Sequence, residues 1–585
     1  MKKMPKPIVE KVNYSAEGIK QLSQQLSSEQ QKRVILRYPT VYIINEEEKE
    51  QTYSVYIGET ADINRRTLQH LQDDSKVRED WEKFSLSEKA EMYVIGHEHF
   101  NKSLTLDIEN RLMLYLSSVD AIQTVYNRRT NQQNEYFTST ELDSIFSSVW
   151  RELRHKNNKL FPLERIIRDS AVFKASPFHK LTPEQMRAQD SIMLKIISAL
   201  SQEKRGQLIL VEGEAGSGKT VLMSSLFYEI TQQSKEMDNP LFNQTENYLL
   251  VNHDQQLTVY EQIAKRLGIT TQSHPEAVSK PTRFINRHSP EEMVDVVIVD
   301  EAHLLWTQGK QSYRGSNQLL DLIDRAKVVV AVFDPKQVLS TEQYWENKDL
   351  NQLRKQAMAE NNLIVLCNQM RINASKQTVE WIRGFIDEKK VKSIPPDKKG
   401  YEIKVFSSPL EMYTEIQEKA RDESSGISRI VATFDWEYIN HKSPETEKYW
   451  NVSVGEWSLP WNLQLPETPE EKRRNRNLSW AEQAHTIKEV GSTFTVQGFD
   501  LNYVGVVIGP SVKYRNGEIV FDRKSSKNKK ATRRRTLQDG RKDYFADDLL
   551  RNELNVLLTR GINGLYLYAV DEELQQALLK AQKGM

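Results

Sequence analysis

From Leu208 onward the chain alternates short, unbroken apolar runs with longer stretches in which apolar residues recur at helical spacing. The runs are Leu208-Ile209-Leu210-Val211, Val296-Val297-Ile298-Val299, Lys327 to Phe333, Leu363 to Leu366, Ile430 to Phe434, Val504 to Ile508 and Leu565 to Val570. Each is short for a helix and shows little polar alternation, which is the pattern of strands buried on both faces. Strands separated by helical segments predict parallel sheets covered by helices, and here the runs predict two α/β domains. Ahead of Leu208 the apolar pieces are briefer: Thr40-Val41-Tyr42-Ile43 and Tyr56-Ile57 read as adjacent short strands, and Leu106 to Leu116 as a helix.

Composition narrows this picture. The 585 residues are 38% apolar and 28% charged, enough core for three or four domains and a soluble surface. Lys plus Arg equals Asp plus Glu at 81 each, so a polyanionic partner would have to be met by local clusters. The single cysteine, Cys367, excludes an intramolecular disulfide or a multi-cysteine zinc site, and its place after Leu363 to Leu366 predicts a buried small hydrophobe. The basic start, Met1-Lys2-Lys3-Met4-Pro5-Lys6, has no apolar core behind it, and no stretch has the length to span a bilayer. A cytoplasmic protein with no membrane partner is expected.

The strand Leu208 to Val211 runs into Gly213-Glu214-Ala215-Gly216-Ser217-Gly218-Lys219-Thr220, the pattern GxxxxGK[ST]. Gly213, Gly216 and Gly218 let consecutive N–H groups turn toward an anion, and a helix starting near Lys219 adds its positive end. The expected ligand is ATP with magnesium, Lys219 reaching the β- and γ-phosphates and Thr220 ligating the metal. Val296 to Val299 likewise ends in Asp300-Glu301-Ala302-His303. There Asp300 would hold magnesium and Glu301 would orient or deprotonate the attacking water.

The polar residues at the ends of these strands resemble the motif stations of superfamily 1 helicases over residues 176 to 585. Leu181-Thr182-Pro183-Glu184-Gln185 resembles the adenine-reading element, with Gln185 as its glutamine. Asp334-Pro335-Lys336-Gln337 is similar to the third motif, in which Gln337 would sense the γ-phosphate. Asn368-Gln369-Met370-Arg371, Thr495-Val496-Gln497-Gly498-Phe499-Asp500 and Val556-Leu557-Leu558-Thr559-Arg560 resemble the fourth, fifth and sixth. Within the superfamily, the pairing of Gln497 to Asp500 with Leu558 to Gly561 most resembles a Schlafen-related branch, domain of unknown function 2075. The resemblance implies two RecA-like domains with ATP between them, and Arg371 and Arg560 as arginine fingers, a role suited to planar, permanently charged guanidinium groups. The chain has little room for the inserted subdomains of large processive helicases.

Residues 40 to 129 carry a second constellation: Tyr42 after Thr40-Val41, Tyr56-Ile57-Gly58, Arg66 and His70 four apart, Glu109, then Asn127-Arg128-Arg129. Arg66 and His70 share one helix face. The order and spacing resemble a GIY-YIG nuclease, although Thr40 or Val41 replaces the first glycine of that name. The resemblance implies a small α+β domain in which Glu109 binds one divalent ion, magnesium or manganese, and Asn127 braces the pocket. Arg66 and the metal would stabilise charge on the scissile phosphate, and a tyrosine or His70 would help deprotonate water. Glu98, between His97 and His99, is a rival for the metal in a poorer, loop-like context.

The expected domains are a nuclease at 1–150, a linker at 151–178 containing a helix and an extended connection, a first RecA-like domain at 179–371 and a second at 372–585. The basic segment Lys524 to Lys542 reads as a mobile loop able to touch phosphates, and Lys472-Arg473-Arg474-Asn475-Arg476 is a second basic run that could contact nucleic acid. Trp436, Trp450, Trp457, Trp461 and Trp480 are irregularly spaced, as core residues are, though such rings also serve as base-stacking platforms. The composite expectation is an ATP-dependent enzyme acting on nucleic acid, most simply DNA: an endonuclease joined to a helicase-like translocase, with antiphage defence as one role. Two alternatives stand beside it, a nucleotide-gated switch or DNA-end sensor that controls the nuclease without translocation, and a DNA repair nuclease. A homo-oligomer or a partner protein is left open.

Overall fold

The computed structural model describes residues 5–49, 51–126, 133, 136–237, 239–271, 274–310, 312–367, 369, 371–421, 426–440, 442–476, 478–537 and 539–584. The chain divides into two compact units, Met1–Thr182 with Ser224–Tyr228 and Val259–Val278, and Pro183–Met223 with Glu229–Thr258 and Ser279–Met585.

The first unit is built on a five-stranded sheet in the order Ile8–Asn13, Glu91–Gly96, Thr40–Lys49, Thr52–Thr60, Ile122–Val125. Neighbours run antiparallel except the last two. In the hairpin Thr40–Lys49/Thr52–Thr60, Tyr42 pairs with Gly58 and Ile44 with Tyr56, so the two tyrosines share one face of the sheet. There they join Val12, Leu22, Trp81 and Phe84 in one core. A Cβ on Gly58 would sit 2.4 Å from the Tyr42 hydroxyl, and glycine therefore lets the phenol lie across the neighbouring strand. Helix Ile63–Gln72 is capped by Asp62, which accepts from the Arg65 N–H, and Lys102–Leu116 by Asn101, which accepts from the Leu104 N–H. These caps fix the phases that turn Arg66, His70 and Glu109 inward.

The connection expected to be extended is folded. Helix Leu142–Lys156 is followed by Glu164–Asp169 and Ala171–Lys174, and buried Phe161 packs edge-on against Trp150 and Tyr93. Leu160 and Phe161, both fully buried, supply the apolar area that holds it.

The second unit carries the two expected parallel sheets. One places Leu363–Leu366, Gln207–Gly213, Ala326–Phe333, Val294–Asp300 and Asn247–Val251 side by side in that order. The other runs Glu402–Val405, Gly561–Ala569, Leu501–Ile508, Ser428–Ala432, Val490–Gly491. Central strands are buried on both faces, as in Val328 to Phe333, which explains their lack of alternation. Because parallel strands end on the same edge, the polar residues after Gly213, Asp300 and Phe333 collect along one rim.

Two local expectations are corrected. Cys367 is exposed rather than buried, because the strand stops at Leu366 and the cysteine lies one residue past it, where its N–H donates to Glu184. Lys524 to Lys542 is structured, not a free loop: it contains the short helix Lys529–Thr532 and the strand pair Arg535–Thr536/Lys542–Asp543. Buried Arg535 donates to Thr307 Oγ1 and to the Thr341 carbonyl, and Arg533 pairs with Glu342. The charge run thus folds because part of its charge is spent on the first sheet's loops. Trp461 and Trp480 are fully buried, in keeping with their irregular spacing.

Fully buried Glu489 holds the tryptophan-rich insertion. Its carboxylate accepts from the N–H groups of Leu463, Gln464 and Leu465 at 2.7–3.0 Å and from the Trp480 indole. Glu489→Ala strands these donors, and a loss of about 3 kcal/mol or more is expected, read as a lower melting midpoint for the second unit in calorimetry.

Candidate functional site

The loop between Gln207–Gly213 and helix Lys219–Gln233 has Gly216 at φ +87° and Gly218 at φ +73°, a region costly for other residues. A Cβ at Gly216 would meet Arg371 Cβ at 2.5 Å and Gln369 Nε2 at 3.3 Å, and one at Gly213 would meet Ser217 Oγ at 2.7 Å. Lys219 Nζ donates to the carbonyls of Gly213 and Glu214, both at 2.7 Å, and lies 3.7 Å from Asp334 Oδ2. Thr220 is the second residue of the helix. Gln185, buried, donates to the Gly218 carbonyl at 3.1 Å.

Asp300 closes its strand with one carboxylate oxygen accepting from Gln256 Nε2 at 2.8 Å and the other from the Glu301 N–H at 3.0 Å. Glu301 sits in the left-handed region at φ +52° and lies 3.2 Å from His303 Nε2. Burial pushes the Glu301 carboxyl up, partly offset by the Lys219 and Arg560 cations. Burial pushes His303 down to about 4, so this imidazole is neutral near pH 7. For Asp334 burial works upward, but Lys219 and His303 outweigh it and the net direction is down.

A polar chain crosses from the first sheet to the second. Gln337 Nε2 donates to Asp334 Oδ2 at 2.7 Å, and its Oε1 accepts from Arg560 Nη2 at 3.2 Å. Arg560, with no exposed surface, also donates to the carbonyls of Val556 and Phe499. Burial, reinforced by the neighbouring Arg371 charge, lowers its pKa to about 9. Arg371 pairs with Asp500. Among the described residues, Ser217 Oγ, Gln369 Nε2 and Arg371 Nη1 are buried with no hydrogen-bond partner. Buried donors of this kind cost free energy unless something accepts from them. Together with the glycine-shaped loop they fit a polyanionic phosphate ligand.

The structure therefore gathers Gln185, Gly213, Gly216, Gly218, Lys219, Asp300, Glu301, Gln337, Arg371 and Arg560 around one rim. It adds Asp334, His303, Gln256, Gln369 and Asp500, to which sequence reasoning gave no role. Asp334, His303, Gln369 and Asp500 stood inside the quoted motifs; Gln256 carried no signal.

Beside this rim lie two cavities that share Phe494 and Lys530. One, of about 650 Å³, is lined by Phe434, Tyr438 and Lys527 among others, and the second, of about 440 Å³, by Trp306, Lys280 and Lys310. Lys310 lies 4.6 Å over the Trp306 ring and Lys530 4.7 Å over Phe494. Under the first cavity, buried Glu553 accepts from the Phe434 N–H and from Asn528 Nδ2, and burial beside Asp435 pushes it up to about 7.

In the first unit Tyr42, Tyr56, Arg66 and His70 converge. The Tyr42 hydroxyl is 2.9 Å from His70 Nε2, and His70 Nδ1 is 2.6 Å from Asp74 Oδ2. Tyr42 and Tyr56 stack with centroids 6.1 Å apart, and His70 stacks on Trp81 at 3.5 Å. Burial, then the Tyr56 hydroxyl, raises Tyr42 well above the usual phenol range, with Arg66 acting against them and Glu109 adding to the rise. Burial and Arg66 hold His70 down at about 4. Glu109 is 8% exposed on helix Lys102–Leu116, while Asn127 lies outside the described residues. Among the described residues no three His, Cys, Asp or Glu side chains are grouped to hold a metal; a carboxylate such as Glu109 is a hard oxygen donor of the kind magnesium takes while retaining most of its waters. Glu98 points elsewhere, accepting from Gln30. Trp81 and Asp74 are the cluster members that sequence reasoning missed; Asp74 follows His70 by one helical turn, which was the available signal.

Parallel sheets with a phosphate loop on one rim and a buried arginine from the next sheet define a helicase-like ATPase. Residues 206–571 match the family model for the Schlafen group 3, DNA/RNA helicase domain, and the chain belongs to that family. Uncharacterized protein YPL245W of Saccharomyces cerevisiae is 31% identical over 444 residues, covering 69% of this chain and 91% of its own. A solved structure titled "The structure of PRRSV helicase" aligns at 10% identity and a TM-score of 0.27, over 66% of this chain and 56% of that one, a likeness too slight to bear on the site. No described helix is long and apolar enough to cross a membrane.

Two outcomes are expected. Gly216→Ala drives a Cβ into Arg371 at a left-handed φ, and titration with a fluorescent ATP analogue should show nucleotide affinity reduced at least tenfold. Glu553, with its folded pKa raised, binds more protons folded than unfolded between about pH 4.5 and 7; its contribution to stability is present at low pH and lost as pH rises through 7. Melting midpoints across that window should fall in wild type and flatten in Glu553→Gln.

Proposed function

We propose that this chain is a nucleic-acid-stimulated ATPase joined to a metal-dependent endonuclease, with the nuclease in residues 1–150, a linker at 151–178 and RecA-like domains at 179–371 and 372–585. The observation that carries the ATPase reading is the buried chain Lys219, Asp334, Gln337, Arg560, which links the phosphate loop to an arginine of the second sheet. Lys219 would exchange the Gly213 and Glu214 carbonyls for ATP phosphates, and Gln185 would read the base. Asp300 and Thr220 would hold magnesium, which neutralises phosphate charge. Glu301, raised by burial, suits a base that orients water and takes its proton. Arg371 and Arg560 would meet the charge developing on the γ-phosphoryl oxygens, and Gln337 would report its loss to Arg560 and Gln497.

The cavities around Phe494 would take the nucleic acid, with rings for bases and lysines for phosphates. In the amino-terminal unit, the convergence of Tyr42, Tyr56, Arg66 and His70 beside Glu109 supports phosphodiester hydrolysis. Glu109 would hold magnesium or manganese, which supplies positive charge at the scissile phosphate.

The docking of Arg533 and Arg535 on Thr307, Thr341 and Glu342 favours a second reading, in which nucleotide gates the two sheets as a switch and no strand is moved. ATP turnover that grows with single-strand length supports a translocase; stimulation independent of length supports the switch.

Lys219→Ala should abolish phosphate release, and Arg560→Lys, which cannot reproduce the guanidinium's three contacts, should lower turnover roughly 10³-fold with nucleotide binding retained. Phe494→Ala combined with Lys530→Glu should remove nucleic-acid stimulation while leaving basal turnover. Glu109→Gln should end cleavage of circular DNA with ATP turnover intact; cleavage that persists in Glu109→Gln would overturn the nuclease assignment.

A further inference from the structure

The nuclease cluster holds an ordered hydrogen-bond chain that its four expected members do not explain. The Arg66 cation lies beside the Tyr42 oxygen and opposes the burial that raises its pKa, the Tyr42 hydroxyl lies 2.9 Å from His70 Nε2, and His70 Nδ1 lies 2.6 Å from Asp74 Oδ2. Arg66 Nη1 is 3.8 Å from the same Asp74 oxygen, closing the circuit. Trp81 stacks on the imidazole with only 14° between planes, so the ring has one orientation. A carboxylate accepts only, which assigns the His70 proton to Nδ1 and leaves the Nε2 lone pair facing the phenol.

We propose that Asp74 is a positioning residue that fixes His70 in the Nδ1–H tautomer and so makes Tyr42 the base that takes the proton of the attacking water. This rests on the nuclease reading above. As water oxygen bonds to phosphorus, its proton passes to the Tyr42 oxygen and the phenolic proton passes to His70 Nε2. The bond from phosphorus to the departing sugar oxygen breaks with its electron pair, and that oxygen regains a proton from solvent. The His70 proton is then released and the cluster returns to its starting state. The transient imidazolium is paired with Asp74, while Arg66 and Arg78 face it as opposing charges and Glu109 faces Tyr42. The depressed basicity of His70 suits a group that passes a proton on rather than retaining it.

The test uses the full chain with circular DNA and manganese. Wild type is compared with Asp74→Asn, Asp74→Glu and Glu109→Gln, and phosphate release from ATP reports folding of each preparation. Asp74→Asn should lower kcat roughly 10²-fold at unchanged KM, and Asp74→Glu should restore most of it. Nitrogen NMR of histidine-labelled protein, with His70→Gln for assignment, should show His70 protonated at Nδ1 in wild type and not in Asp74→Asn. Wild type that cleaves, with Glu109→Gln inactive and Asp74→Asn unchanged, overturns the relay and leaves the nuclease standing. An Nε2–H tautomer in wild type overturns the relay whatever the cleavage result. Wild type that does not cleave overturns both.

Discussion

Arg560 is the constraint around which the second unit is arranged. A fully buried guanidinium loses its hydration, and among the described residues no carboxylate is hydrogen-bonded to it; the carbonyls of Val556 and Phe499 and the side chain of Gln337 take its donors. Such a group is tolerable only if every acceptor is placed in advance, since an unmet buried charge costs several kcal/mol. The helix Ala546–Leu558, the turn before Leu501 and the strand ending at Phe333 must therefore hold their relative positions. That demand extends through Gln337 to Asp334 and Lys219, and a phosphate loop becomes electrically continuous with a residue of another sheet. The charges lie in a medium that screens them poorly, so a newly arrived polyanion would alter the energy of the whole chain.

The amino-terminal unit solves a related problem with rings in place of charges. Tyr42, Tyr56, His70 and Trp81 pack as part of the sheet's apolar core. Side chains embedded in a core are rigid because moving them would open a cavity. The same packing explains why Gly58 cannot carry a side chain: the space is already filled by the phenol opposite.

Much of this was legible in the sequence because it depended on local rules. Apolar runs without alternation mark strands covered on both faces, and Ala326–Phe333 and Leu501–Ile508 are such strands. The glycine loop and the carboxylates after Val299 follow from chain order alone. What sequence could not supply were pairings across long separations. Arg535 is 194 residues from Thr341, and its burial depends on a carbonyl that no pattern near residue 535 announces. Reading Lys524 to Lys542 as mobile treated each charge as solvated, whereas Lys527, Arg533, Arg535 and Arg541 are among those that have partners. Cys367 failed for a finer reason, since strand ends are uncertain by a residue or two and one residue separates a covered position from an open one. Gln256 reaches Asp300 across 44 positions and left no trace in its own neighbourhood.

The docked basic segment also sets a mechanical limit. Thr341 gives its N–H to the Lys530 carbonyl, Arg535 caps Thr341 and Thr307, and Tyr344 stacks on Phe545. Pulling the sheets apart along that edge would break all of these together, and at the phosphate-loop rim Gln497, Asn552, Asn555 and Arg560 tie the second sheet's elements to residues 335 to 338 as well. The two sheets are therefore stitched along both margins, so separating them means breaking two sets of bonds together rather than turning about one hinge.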